Sequence, residues 1–422
     1  MSTTARFVSR ITRDTLALVL AGGRGSRLEM LTDWRAKPAV PFGGKFRIID
    51  FALSNCINSG VRRVQVFTQY KSHALIRHLQ RGWNMLSPET GEFVELVPAQ
   101  QWVDEESWYE GTADAVYQGL DIIAANDPEY VLILAGDHVY KMDYGEMLAA
   151  HVASGADFTI GCYTVPLAEA SQYGVMAVDE QYRINSFREK PDNPASLPGD
   201  PNAALISMGI YVFSFEYLRE HLLRDAQDPK SSHDFGKDII PYAVRKGHHV
   251  QAYPFFEADV GNAYWRDVGT IDAYYQSNME LLCPDSPLDL YNPNWRILTY
   301  QEQLPPAQFI GASGEFSNSM VSGGCVMHSA FVENSLLSSN VQVQEKSQLR
   351  SALVLPDCTI GRNTRLTRVL LDNGCVVPDG MVIGEDPELD GQRFHITREG
   401  VVAVSRKMLG QERRYLPSGL NA

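Results

Sequence analysis

Apolar positions in the first two thirds of the chain switch repeatedly between two periods. Residues 15–20 form a short apolar run ending in Ala21-Gly22-Gly23, which predicts a buried strand leading into a glycine loop. A second strand is predicted at 64–68, followed by a helix over 73–81. Over 112–124, Ala113, Val116, Leu120 and Ile123 fall on one face of a predicted helix. The run VLILA at 131–135 is continuously apolar, as in a parallel strand covered on both sides, and 142–153 predicts the next helix. Such alternation predicts an α/β domain with a mostly parallel sheet. Ligands of such sheets sit outside the carboxyl ends of the strands, so the Gly22 loop and Gly136-Asp137 should share one rim.

From 157 to 213 the strands come closer together, which predicts an added β-rich section facing the substrate. Pro194, Pro198 and Pro201 mark an exposed loop there. Around 283–306 the chain is rich in Pro, Asp and Asn and reads as a linker. Beyond Val321 apolar residues recur six apart: Val326 and Val332; Val343, Leu349 and Leu355; Ile360 and Leu366; Val376 and Val382. Hexads of this kind predict a parallel β-helix, whose coils bury their apolar face only by stacking. Antiparallel strands with chance spacing are the alternative. The boundaries expected are a catalytic domain at 1–285, a linker at 286–310 and a β-helix at 311–422.

Composition narrows the function. With 37 basic and 51 acidic residues the net charge is −14. An acidic chain is a poor general binder of nucleic acid or anionic membrane, so polyanionic substrates must meet local basic clusters. No C-x-x-C pair occurs among the six cysteines, which fits buried thiols in a reducing cytoplasm. Residues 1–14 contain no apolar signal core, and no run reaches the ~18 apolar residues of a membrane span.

Four motifs carry chemistry. In LAGGRGSRL, at 20–28, glycines let backbone N–H groups approach phosphate oxygens. It is not a P-loop, because no Gly-Lys-Ser/Thr follows at the right spacing, nor a dinucleotide fingerprint, because Leu28 stands where a third glycine belongs. Arg24 and Arg27 lie inside this loop and Lys37 follows; Arg27 and Lys37 together would neutralise a triphosphate and its pyrophosphate leaving group. Asp137, after the VLILA strand, is placed to hold Mg²⁺, although an Asp there can also be only a turn or cap residue. Asp267 in YWRDVGT would complete that site, or cap a Gly-Thr turn. Lys190 in Glu189-Lys190-Pro191 offers a point charge for a sugar phosphate, and Glu189 an acceptor for sugar hydroxyls. The segment 108–114, WYEGTAD, supplies an aromatic and a helix N-terminus for a nucleoside, with Gln101 shortly before it. A sugar phosphate is largely dianionic above its second pKa of ~6, so it can attack a phosphorus without a general base. The reaction predicted is condensation of a nucleoside triphosphate with a sugar phosphate, releasing pyrophosphate.

Together these stretches resemble the bacterial ADP-glucose pyrophosphorylases. The matching segments include LAGGRGSRL, RAKPAVPFGGKFRIIDFALSNCINSG, WYEGTADAV, LAGDHVYKMDY, SMGIYVF, SSHDFGKDIIP and YWRDVGT, and they span nearly the whole chain. The resemblance implies a Rossmann-like nucleotidyltransferase domain, a C-terminal left-handed parallel β-helix and a homotetramer. It implies ATP and glucose 1-phosphate as substrates with Mg²⁺, and supply of ADP-glucose for glycogen synthesis. Catalytic roles carry over to Arg27, Lys37 and Asp137, and metal binding to Asp137 and Asp267. Lys190, Glu189, Ser207 and Gly174 would bind glucose 1-phosphate. Leu20, Ala21, Gly22, Gly23, Gly25, Gln101, Tyr109 and Gly111 would line the nucleotide.

Small-molecule allosteric effectors are implied at Arg35 and Arg47, with Arg365 or Arg368 from the β-helix. Trp34 and Trp102 stand where the family pattern is basic, which argues against activation by fructose 1,6-bisphosphate. Ser26 replaces a common Thr and keeps the hydroxyl. The rivals are a sugar nucleotidyltransferase using another base, a bifunctional acyltransferase with His328, and a non-catalytic regulatory subunit. The last would be expected to have lost catalytic residues that are all present here.

Overall fold

A computed structural model describes residues 3–23, 25–99, 109–255 and 263–411. Its central sheet has nine strands. The parallel part runs Tyr130–Ala135, Thr15–Leu20, Arg63–Thr68, Phe93–Pro98. On its far side Ala203–Ser214 pairs antiparallel with Tyr130–Ala135 and leads to the Gly174–Val178 and Ile184–Glu189 strands. Phe158–Pro166 and Val250–Pro254 complete the sheet. Thr15–Leu20 and Tyr130–Ala135 are buried nearly throughout, which is why their sequences are apolar without alternation.

The helix expected over 112–124 is two helices, Thr112–Gln118 and Leu120–Ala124. They break at Gly119, where the Phe67 ring packs so closely that a Cβ would lie 2.5 Å from it. The helix expected at 142–153 is Tyr144–Ser154, started by Asp143, whose carboxylate accepts from the Gly145 amide.

Past the linker, short parallel strands stack in three sheets. Val326, Gln342, Thr359 and Val376 are successive partners up one of them. This is a parallel β-helix, and its first strand, Gln308–Ile310, already pairs with Val326–His328. Asn318, Asn334, Asn340 and Asn363 turn its corners at positive φ, which Asn tolerates better than most residues. The expected hexads hold at Val332, Val343, Leu349, Leu355, Ile360 and Leu366, all buried. They fail by one residue at Val326, Val376 and Val382, where Met327, Val377 and Ile383 point inward instead. Both members of each pair are apolar, so composition could not fix the phase.

The two domains share a core. Leu28, Phe42, Tyr274 and Ile271 from the first pack with Leu336, Leu353 and Leu370 from the β-helix. Each such leucine contributes roughly 1.5–3 kcal/mol by leaving water. Residues of the linker are docked as well: Leu288 and Ile297 are buried, and the Ser54 hydroxyl accepts from the Leu298 amide at 2.8 Å.

Candidate active site

The glycine loop leaves the Thr15–Leu20 strand tied on both sides. The Ala21 amide donates to Phe67 O at 2.9 Å, and the Gly136 amide to Leu20 O at 3.0 Å. Gly22 and Asp137 therefore sit on one rim, as expected. Gly25 adopts φ 60, and a Cβ there would lie 3.1 Å from Cβ of Lys37. The loop thus rests on the stem of the cation that follows it. Gln69, a residue without a predicted role, lies directly behind Gly22 and reaches Tyr109 O at 3.4 Å.

Lys37, Asp137 and Asp267 converge. The Lys37 Nζ is 3.0 Å from Asp137 Oδ2 and 2.7 Å from Asp267 Oδ1, with its side chain only 6% exposed. Arg27, more exposed, lies 3.8 Å from Asp267 Oδ2. Burial opposes charge on both Lys37 and Asp137, but the opposite charges outweigh it. They hold the Asp137 carboxyl below the ordinary carboxylate range and the Lys37 ammonium above its usual value. Two carboxylates face one buried ammonium, with the exposed Arg27 as the second cation beside them. Ligand atoms of Asp137, His138 and Asp267 all lie within 4.8 Å of one another. This oxygen-rich donor set fits a hard divalent cation that shares its shell with water and phosphate. Asp267 reaches the rim because Trp265–Asp267 pairs antiparallel with His138–Tyr140.

The residues expected to meet the sugar phosphate are joined to this rim by the strand Ala203–Ser214. Its register shifts after Ser207, whose hydroxyl accepts from the Gly209 amide at 3.2 Å. Met208 O in that bulge meets His138 Nδ1 at 3.1 Å. Glu189 ends its strand against Gly174 and Gly236, each placed so that a Cβ would come within 3 Å of its Oε2. Burial pushes the Glu189 carboxyl up, with Lys190 opposing. Lys190, at φ 47, keeps an exposed ammonium 3.9 Å from Glu189 Oε1, and its amide donates to Tyr173 O. Tyr173, Trp265 and His138 form an aromatic wall between the two halves. The buried Trp265 Nε1 has no hydrogen-bond partner among the described residues. Sequence reasoning gave this tryptophan no role; its only signal was its place two residues before Asp267.

Among the residues expected to line the nucleotide, burial beside Asp114 pushes the Tyr109 phenol up to about 12, so it stays neutral. The helix N-terminus expected to face a nucleoside is already occupied: His233 O accepts from the Ala113 and Asp114 amides at 2.8 and 3.2 Å. Gly111 is required because a Cβ would lie 2.2 Å from that same oxygen. Arg24, Gln101, Trp102 and Trp108 lie outside the described residues.

The candidate effector residues separate. Arg35 and Arg47 line a cleft of about 260 Å³ at the domain boundary, with Trp34, Lys45, Arg77 and Arg81. Arg35 is 1% exposed there, donating to Leu31 O, Asp372 Oδ1 and Asn373 Oδ1. Burial and the nearby Arg35 charge pull the Arg47 guanidinium down to about 10. Arg365 pairs with Glu385 and Arg368 with Glu399 O; neither is among the residues lining the cleft.

A glycine loop, two cations and two rim carboxylates on a parallel sheet, followed by a hexapeptide-type helix, define a nucleotidyltransferase. The nucleotidyl transferase family model matches residues 16–283, and a GlmU-like C-terminal hexapeptide model matches residues 305–404. Similarity also extends to whole proteins. The chain is 58% identical over 417 residues to a glucose-1-phosphate adenylyltransferase of Nitrosococcus oceani, covering 98% of each. It is 58% identical over 420 residues to that of Methylobacillus flagellatus, again 98% of each. Against glucose-1-phosphate adenylyltransferase 1 of Alkalilimnicola ehrlichii it is 59% identical over 412 residues, 96% and 97% of the two chains. The chain belongs to the glucose-1-phosphate adenylyltransferase family.

Proposed function

We propose that the protein transfers the adenylyl group of ATP to α-D-glucose 1-phosphate, forming ADP-glucose for glycogen synthesis and releasing pyrophosphate. The observation that carries this reading is the Lys37–Asp137–Asp267 cluster beside the glycine loop, in a chain that covers its relatives almost completely. The sugar phosphate dianion attacks the α-phosphorus, the phosphoanhydride bond to the β-phosphate breaks, and pyrophosphate leaves with the electron pair. Lys37 and Arg27 meet the charge spreading onto the leaving group. Lys190 holds the sugar phosphate, with Glu189 and Ser207 toward the glucose. The loop at 20–25 and Tyr109 hold the nucleotide. Mg²⁺ held by Asp137 and Asp267 would neutralise phosphate charge.

The cationic cleft with Arg47, Arg77 and Arg81 supports binding of small phosphorylated effectors. Exposed Phe309, Phe316 and Phe331 on the first coils support a homo-oligomer, a tetramer by family resemblance. All six cysteines are free thiols, which supports a cytoplasmic setting. Among the described residues no helix is long and apolar enough to cross a membrane.

Pyrophosphate release with glucose 1-phosphate and Mg²⁺, measured in parallel for ATP, UTP, dTTP and GTP, tests the reading. Turnover with ATP well above the others is expected. Preference for another nucleotide would keep the chemistry and overturn the base, and no turnover with any would return the regulatory-subunit reading.

A further inference from the structure

The segment 231–237 touches both substrate walls and is held by Asp225 and by Asp238, whose Oδ2 accepts from the Ser232 hydroxyl and from the Ser232 and Asp234 amides. On one side His233 O holds the Ala113 and Asp114 amides, and Asp234 Oδ2 accepts from the Thr112 hydroxyl at 3.0 Å. The Thr112 oxygen in turn accepts from the Phe235 amide at 3.1 Å. These contacts fix the turn that carries Tyr109 and Gly111. On the other side Asp234 Oδ1 caps the Gly236 and Lys237 amides. Gly236 then packs against the Glu189 carboxylate, where a Cβ would lie 2.8 Å from Oε2. Both walls therefore move with the backbone at 233–236.

The backbone at His233 is left-handed, at φ 53, a region that few non-glycine residues occupy and that His, Asn and Asp enter more readily than others. Asp225, at the end of the Phe215–Asp225 helix, holds it there. Its Oδ2 meets His233 Nδ1 at 2.9 Å, and its Oδ1 accepts from the Ser231 hydroxyl, which accepts from the His233 amide. Asp225 is 3% exposed, so its charge has little access to water. The groups facing His233 are Asp225 from that helix, Glu110 at 3.8 Å and Asp114 from the helix it caps; Arg224 lies beside Asp225 at 3.4 Å. Neither Asp225 nor His233 belongs to the cluster that carries the chemistry.

We infer that the Asp225–His233 pair is a positioning element that sets the nucleotide wall and the sugar-phosphate wall together. The inference rests on the proposed reaction for the meaning of the two walls. Its effect should appear in binding rather than in the chemical step, because the pair acts through Gly111 and Glu189 and not through the Lys37 cluster. His233→Asn keeps a residue tolerant of positive φ while shortening the reach to Asp225, so a backbone requirement alone would leave it unimpaired.

Steady-state kinetics of His233→Asn, Asp225→Asn and the double variant test this. Each single change should raise KM for ATP and for glucose 1-phosphate by about tenfold with kcat kept within about threefold. The double variant should be no worse than the weaker single, since both changes break one link. Hydrogen exchange supplies a readout that does not depend on turnover. The Ala113 and Asp114 amides should exchange at least about tenfold faster in both singles, with the β-helix amides unchanged. Unchanged KM values, a rise for only one substrate, additive losses or unchanged exchange would each overturn the pair's role. If the wild-type protein forms no ADP-glucose, the proposed reaction fails, and exchange alone then decides whether the anchor exists.

Discussion

Arg35 and Lys37 are two buried cations two residues apart, and they serve opposite purposes. Lys37 faces two carboxylates, one of them, Asp137, with a side chain 35% exposed. Asp137 gives its surroundings an open side, so anionic ligands can reach the ammonium and a cation can reach the carboxylates. Arg35 is enclosed. One carboxylate balances its charge, and Leu31 O and Asn373 Oδ1 each accept from a further one of its five N–H donors. That cluster joins the catalytic domain to the β-helix, with the guanidinium almost wholly out of water. Burial alone does not separate a catalytic charge from a structural one; charge balance and access do.

The largest effect expected falls on the open cluster. Asp137→Asn should lower kcat by about 10²–10³ or more, by analogy with loss of one electrostatic element of a preorganised site. Folding should be unaffected, because Lys37 keeps Asp267 at 2.7 Å. Retained turnover would remove Asp137 from the site and dissolve the contrast. Next comes the closed cluster. Arg35→Met leaves Asp372, with a side chain 8% exposed, buried without its counter-charge, and should cost about 3–5 kcal/mol in urea unfolding. The double variant Arg35→Met/Asp372→Leu should recover most of it. An additive double loss would show that the pair is not a closed unit.

The pH dependence sharpens the contrast by a smaller amount. A carboxyl held below its ordinary ~3.9 stabilises the fold above that pH, and the contribution is lost as pH falls through the lower folded value. The Lys37 ammonium, held above its ordinary ~10.4, contributes below that pH and loses its contribution only as pH rises through the higher folded value. Lys37 and Asp137 therefore stay charged across neutral pH. The acid limb of kcat/KM should instead fall near ~6, where the sugar phosphate takes up its proton. Glu189, whose carboxyl is pushed up, is a rim group that could confuse this, so the limb should persist in Glu189→Gln.

Most of the rim was legible from the chain because its signals are local. A glycine run after an apolar strand, and an aspartate after another, name their places by themselves. Asp267 was legible as a candidate, but its meeting with Lys37 depends on the pairing of its own strand with His138–Tyr140, which is distant from it in sequence. Arg35 could not be told from Lys37 in RAKP, since Asp372 and Asn373 arrive from the other domain. The anchor at His233 was invisible for a related reason. Its role lies in a backbone oxygen and a positive φ, and neither leaves a mark in composition. The β-helix was readable as a repeat, but its phase was lost wherever two apolar residues stood side by side.

The smallest effect expected concerns the cleft above the closed cluster. The Trp34 ring lies 4.5 Å from the Arg35 guanidinium and lines the same cleft as Lys45, Arg47, Arg77 and Arg81. A lysine at position 34 would add one more cation to this set without touching the Asp372 or Asn373 contacts of Arg35. An anionic effector bound there should then gain affinity by a few fold, about what one extra partly screened charge contributes. The gain should shrink as salt is raised. Effector titrations of Trp34→Lys at two ionic strengths measure this directly, with thermal melting as the control that the Arg35 clamp is intact. An unchanged effector profile with an intact clamp would mean that Trp34 belongs to the closed cluster as packing for Arg35, and that the boundary between the two kinds of charge lies deeper in the cleft, at Arg47.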